Sequence, residues 1–192
     1  MLRRLYDKTL ALAEHRHALR ALGVVSFIES SVFPIPPDVM MIPMILADRS
    51  RAWVIATVAT LASVAGALLG YAIGYFFYES LGQPVLEALG KADKIGAFNE
   101  RFNEWGVWAV LIAGLTPFPF KVITILSGWA SMPLLPFVIS CLIARSARFY
   151  IVSGLLYAFG RPIRDFVERW LGLVFTAFMI LLIGGFLAVR YL

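Results

Sequence analysis

Phe33-Pro34-Ile35-Pro36-Pro37-Asp38 and Thr116-Pro117-Phe118-Pro119-Phe120-Lys121 are two versions of one device. Moving the first by 83 positions sets Pro34 on Pro117, Pro36 on Pro119 and Asp38 on Lys121. Proline lacks an amide proton and its ring collides with the preceding helical turn, so two within three residues end a helix. Both stretches interrupt long apolar runs. Backbone broken at membrane depth survives only where protein or an aqueous cavity covers it. An ionisable residue beside such a break marks a functional site. The pattern predicts a re-entrant helical hairpin in each half, with Pro34, Pro36 and Pro37 at one tip and Pro117 and Pro119 at the other.

Composition supports that reading. The 192 residues are 60% hydrophobic and 15% charged, whereas a soluble domain carries about 25% charged residues. This is an all-α polytopic membrane protein. The net charge of +5 comes from Lys and Arg placed mostly in short segments flanking apolar runs. They are topology determinants rather than a nucleic-acid footprint. Cys141 is the only cysteine, and His15 and His17, both in the basic N-terminal segment, are the only histidines. These residues give no disulfide, no metal site and no Ser-His-Asp or Cys-His set, so neither an enzyme nor a cofactor is expected.

In chain order, residues 1–20 place Leu2, Leu5, Leu12 and Leu19 near helical spacing among basic residues, predicting an amphipathic surface helix. The charged opening is too long for a secretory signal, and no small-residue cleavage site follows it. Residues 21–78 form a first repeat. Leu22 to about Phe33 enters, Asp38 to Ala47 returns, and the uncharged 52–78 spans. Each hairpin arm covers roughly half of a ~30 Å hydrocarbon core. Gly66, Gly70 and Gly74 put small residues on one face of that span. Such a face suits close internal packing or a homo-oligomer, and the spacing alone does not choose.

Residues 79–104 are a polar connection, and its Phe98, Phe102 and Trp105 suggest an interfacial helix. A second repeat, 105–160, has an arm from Gly106 to Leu115, the second tip, a return over Val122 to Met132, and a span over 137–160. Residues 161–192 hold a basic turn and a last span. With the N-terminus in the cytoplasm, the richly basic segments 1–20, 48–51 and 160–169 fall on the cytoplasmic side. The halves would then be inverted repeats, a transporter construction whose sites lie at the repeat interface near the midplane.

Five charges stand inside apolar runs: Glu29, Asp38, Lys121, Arg145 and Arg148. Each costs about 2.5–3.5 kcal/mol at the centre of an isolated spanning helix. Together they cost on the order of 10 kcal/mol, as much as a whole domain's stability, unless they pair or reach water. One explanation is a structural ion-pair network joining the halves, for instance Asp38 with Lys121. Three bases against two acids leave one positive charge, however, and a surplus cation at midplane calls for an anion. Arginine forks fit phosphate oxygens, so an anionic lipid headgroup suits the set. Glu29 or Asp38 would then carry a proton through the cycle.

Phe27-Ile28-Glu29 followed by Pro34-x-Pro36-Pro37-Asp38 resembles the first re-entrant motif of the DedA family, also called the VTT or SNARE-associated Golgi protein family. Thr116 to Lys121, Ser127-Gly128 and Ala144-Arg145-Ser146-Ala147-Arg148-Phe149 resemble the second half of its YqaA-like branch. Where many members have Gly-Arg-Phe-x-Pro-x-x-Arg, this chain has Thr116 and Lys121 in that region. The resemblance implies a bacterial inner-membrane protein with two opposed hairpins. It would move lipid between leaflets, an anionic phospholipid or a polyprenyl phosphate, with Glu29 and Asp38 as the acidic pair and Arg145 and Arg148 as bases. The competing readings are a non-transporting membrane organiser binding partners through the Gly66/Gly70/Gly74 face and the amphipathic helices, and a proton or small-ion transporter.

Overall fold

The structure, a computed structural model, describes residues 17–32, 36–78, 80, 92–116 and 118–160. The surface helix expected in 1–20 (apart from its last residues), Pro34, Pro117 and the last span in 161–192 lie outside them. The described residues are helical, without a strand. They form α1 (Ala18–Ser31), α2 (Asp38–Ala47), a 3-10 turn (Arg49–Arg51), α3 (Ala52–Phe77), α4 (Ala92–Leu115), α5 (Phe120–Trp129) and α6 (Leu134–Phe159).

Local chemistry sets these boundaries. Pro37, Pro119 and Pro133 stand immediately before α2, α5 and α6, where a missing amide proton costs nothing. The Asp48 carboxylate accepts from the Ser50 amide and hydroxyl, closing the turn before α3. Gly160, at φ 65°, ends α6 in a conformation that glycine adopts without strain. The 83-residue offset of the tips extends to the helices. Shifted by 83, α2 falls on 121–130 and α3 on 135–160, each one residue past α5 and α6.

Among the described residues, the stretches Arg49–Phe77 and Leu134–Phe159 are long and apolar enough to cross a bilayer. At 1.5 Å per residue, the 26 residues of each helix reach about 39 Å, beyond a ~30 Å core. The α4 helix departs from expectation. It runs unbroken through Trp105 and Gly106, where the sequence placed a boundary between polar connection and second repeat. Glycine at that point removes a side chain without disrupting the helix, and Met132 and Phe102 crowd the space.

Packing fixes the directions. Gly23 lies beside Val58 and Ala62, and Gly66 and Gly70 face Phe27 and Ser30, so α1 runs parallel to α3. Trp53 meets Tyr157 while Tyr71 meets Phe137, so α6 runs antiparallel to α3. Gly106 faces Met132 and Gly114 faces Ala144, so α4 runs with α6. The two short helices both start mid-molecule. α2 descends from Asp38, held near the middle of α6, to the start of α3. α5 runs from Thr124, beside Gly70, to Trp129, beside Phe77 and Tyr78 at the other end.

The glycine face is filled inside the molecule. A Cβ on Gly66 would strike the Phe27 carbonyl, one on Gly70 the Thr124 hydroxyl, and one on Gly74 the Ile125 carbonyl. Gly128 answers from α5, where a Cβ would strike the Tyr71 carbonyl. α3 is therefore the central post, with α1 and α5 in backbone contact along it. Two apolar clusters flank the middle. One holds Leu22, Met41, Ile55, Phe149 and Leu156; the other holds Val110, Phe120, Met132, Phe137 and Cys141.

Candidate functional site

Between those clusters the structure gathers four of the five midplane charges into two ion pairs. Arg145, eight tenths of a turn from Arg148 on α6 by helical periodicity, points its guanidinium into the centre and is 1% exposed. Its Nη2 donates to Glu29 Oε2 at 2.5 Å. Its Nε donates to Ser63 Oγ at 2.5 Å. Ser30 completes the ring, with its hydroxyl 2.6 Å from that of Ser63 and donating to Glu29 Oε2 at 3.1 Å. The guanidinium lies between the rings of Phe120 and Phe149, 4.7 and 4.6 Å from their centroids. One ring belongs to each apolar cluster, so Arg145 joins the two. A desolvated cation between aromatic faces is stabilised by about 2 kcal/mol.

Arg148 makes the second pair. Its Nη2 donates to Asp38 Oδ2 at 2.9 Å and its Nη1 to the Thr116 carbonyl at 2.7 Å. Asp38 opens α2, where the positive end of the helix dipole favours a carboxylate. The Thr116 carbonyl follows the last residue of α4 and suits a cation for the converse reason. Asp38 is 1% exposed, and among the described residues its Oδ1 is buried with no hydrogen-bond partner.

Asp38 and Lys121 do not pair, contrary to the sequence example. An 83-position offset along the chain relates the two residues but does not require them to face each other. Lys121 instead donates from Nζ to the Val32 carbonyl at the end of α1, at 3.0 Å. The end of α1 is thus fastened through Val32 by Lys121, and the end of α4 through Thr116 by Arg148, which Asp38 holds in turn. A carboxylate cannot donate to a carbonyl, so an arginine bridges where Asp38 replaces a lysine.

The sequence reading missed Ser30, Ser63, Phe120 and Phe149. A usable signal was present. Ser30 adjoins Glu29, and Phe149 follows Arg145 by four residues, which places it on the same helix face. The tip residues Pro36, Pro37 and Pro119 flank the site, before α2 and α5. Gly66, Gly70 and Gly74 line the contacts that bring Ser30 and Thr124 against α3. Among the described residues, no group of three His, Cys, Asp or Glu is placed to hold a metal ion.

A family model described as the VTT domain matches residues 33–158. An uncharacterized protein of Haemophilus influenzae is 40% identical over 151 residues, covering 79% of this chain and 78% of that protein. A homologous uncharacterized protein of Histophilus somni is 38% identical over the same coverage. One from Methanocaldococcus jannaschii is 28% identical over 127 residues, 65% of this chain and 75% of that protein. No solved structure matches the chain.

Proposed function

The chain belongs to the membrane-associated VTT domain family, and on that premise we propose that it moves an anionic lipid headgroup between leaflets, coupled to protons that bind with it. One observation carries the reading: both internal ion pairs join one half of the chain to the other at mid-molecule. Glu29 pairs with Arg145 and Asp38 with Arg148, across 116 and 110 positions. A lipid phosphate competes for the same guanidinium forks as the carboxylates do. A proton on Glu29 or Asp38 cancels that carboxylate's hold and raises the net positive charge of the centre by one. The same protonation that frees an arginine therefore favours the anion.

The architecture supports a midplane position. Trp53 stacks on Tyr150 and packs at a tilt on Tyr157 near one end of α3, and Trp129 packs on Phe77 and Tyr78 near the other. Aromatic belts mark bilayer interfaces. Trp53 and Phe77 are 24 positions apart, about 36 Å along a helix, close to the ~30 Å hydrocarbon thickness. Ser63, which holds Arg145, lies near the middle of that interval. We read the halves as inverted repeats with re-entrant short helices, because α1 and α3 run opposite to α4 and α6. We place Arg49 and Arg51 on the cytoplasmic face of a bacterial inner membrane. Carriers built this way bind at the repeat interface. The glycine face, one of the two surfaces an organiser would use, is filled inside the molecule by α1 and α5.

The test is Arg148→Lys in proteoliposomes, with fluorescently headgroup-labelled phosphatidylglycerol and phosphatidylcholine followed by quenching of the outer leaflet. Lysine keeps the charge but lacks the fork that serves Asp38 and Thr116 together. Folded protein that moves labelled phosphatidylglycerol at least about tenfold more slowly, one decade or 1.4 kcal/mol of barrier, is expected. An unchanged rate, or equal handling of phosphatidylcholine by the unaltered protein, refutes the reading.

A further inference from the structure

Several hydroxyls on or beside these helices satisfy themselves locally. Ser31, Thr57, Thr116, Ser127 and Ser140 each donate to the carbonyl four residues back. Ser26, Thr60 and Ser153 do not. All three are buried, and among the described residues their oxygens have no partner. The carbonyl four residues back exists for each of them. Three rotamers that decline a local bond in an otherwise apolar region need another partner, and an orphaned buried hydroxyl costs about 1–3 kcal/mol.

Their positions are ordered. Ser26 precedes Ser30 by four residues and Thr60 precedes Ser63 by three. On helices that run parallel, both hydroxyls therefore lie on the faces of the bonded Ser30–Ser63 pair, one turn nearer the start of α3. Ser153 follows Arg145 by eight residues on the buried stripe Arg145, Phe149, Ser153 of α6. Because α6 is antiparallel to α3, that displacement points to the same end. Eight residues are about 12 Å of helix, most of the distance from midplane to the edge of a ~30 Å core.

We propose that Ser26, Thr60 and Ser153 line an internal water-filled path that delivers protons from the Arg49–Arg51 end to the Glu29–Arg145 pair. Hydroxyls both donate and accept, so they hold waters in a chain and pass a proton without changing charge. Buried waters take two to four polar partners, which the three hydroxyls, Ser30 and Glu29 supply in sequence. Leu22, Ile55 and Leu156, all fully buried, stand between Ser153 and the end of the bundle as an apolar constriction that gates by dewetting. The proton role rests on the proposed coupling, whereas the hydration does not.

The test uses the full chain in phosphatidylethanolamine–phosphatidylglycerol vesicles. Ser26→Cys, Thr60→Cys and Ser153→Cys are introduced singly, with native Cys141, fully buried in the other apolar cluster, as the dry comparison in the same molecule. Aminoethyl methanethiosulfonate reacts with the hydrated thiolate. Site-resolved mass spectrometry is expected to show labelling at each new cysteine at least about tenfold faster than at Cys141. In a second measurement, Thr60→Val and Ser153→Ala slow dye-reported proton uptake after an acid jump several-fold, with thermal stability unchanged or raised. Labelling no faster than at Cys141, or proton uptake at the unaltered rate in both variants, overturns the proposal. Fast labelling with slowed proton entry, in a protein that moves no lipid, supports the path and removes the lipid reading.

Discussion

Replacing Glu29 and Arg145 separately and together distinguishes a switch from a strut. Arg145→Met removes the ion pair, the bond to Ser63 and the cation between two rings, and leaves the largely buried Glu29 carboxylate with Ser30 as its one remaining side-chain partner among the described residues. Breaking a buried pair from one side costs about 3–5 kcal/mol, because the remaining charge is uncompensated. Methionine between Phe120 and Phe149 recovers part of that through sulfur–aromatic contact, about 0.3–1.5 kcal/mol. Glu29→Gln keeps an acceptor for Arg145 but strands its charge, a loss of about 2–3 kcal/mol within the range for charged hydrogen bonds. The double variant strands nothing. It is expected to be no less stable than Arg145→Met alone, a coupling of at least about 2 kcal/mol in the double-mutant cycle. Reversible denaturation of the detergent-solubilised protein measures all four corners. Single losses that add within about 0.5 kcal/mol would show that the pair is not energetically joined, against the geometry. Lipid transport by the same four proteins is the second measurement. A folded double variant that still moves anionic lipid would reduce the pair to a structural tie.

Three other outcomes follow from the same contacts. Gly128→Ala drives a methyl into the Tyr71 carbonyl and is expected to cost more than the usual 1–3 kcal/mol of overpacking. Gly154→Ala meets only the Trp53 ring at 3.6 Å and gains up to about 1 kcal/mol of helix propensity; thermal melts of both variants compare them directly. Lys121→Met loses the bond to the Val32 carbonyl and about 1 kcal/mol, while Lys121→Arg retains a donor. Thermal melts of the two variants measure the difference, and Lys121→Met melting with the unaltered protein counts against the tie to Val32. Asp38→Asn keeps an acceptor for Arg148 but cannot exchange a proton, so lipid transport should lose the part of its pH dependence that Asp38 supplies. A pH–rate profile identical to that of the unaltered protein counts against Asp38 as a proton carrier.

The prolines made the breaks legible because their effect is local. Pro37 and Pro119 cap α2 and α5 whatever surrounds them, and the arm read as Asp38 to Ala47 is helix α2. The charges were legible for the same reason, since each is costly in an apolar run without reference to a partner. Partners were another matter. Asp38 meets Arg148 rather than Lys121 because the crossing of α2 on α6 decides the pairing, and no spacing along the chain encodes that crossing. Ser30 and Ser63 stayed hidden because a serine in an apolar helix ordinarily bonds its own backbone, as Ser127 and Ser140 do. Only the facing helix shows that Ser63 spends its hydroxyl on Arg145. The polar connection and the arm that follows it share one helix, Ala92–Leu115, because composition changes before Gly106 while the backbone, free of proline, continues as helix.

The arrangement is more than a neutralised core because its two halves are tied unequally. The Lys121–Val32 tie involves a base and a carbonyl, and no carboxylate takes part. The Arg148–Thr116 tie is held by Asp38, whose other oxygen is buried without a partner among the described residues. A structure built only for stability gains by replacing such a pair with apolar residues of equal volume, often by about 1–4 kcal/mol. A half-satisfied carboxylate at a helix start makes sense where the group must change state. Under the proposed coupling, protonating Asp38 would weaken its hold on Arg148 and loosen the end of α4, while leaving the end of α1 fastened by Lys121. The proposed coupling of protons to an anion calls for that asymmetry: release of the arginine and access to it would be set by a single event, on one face at a time.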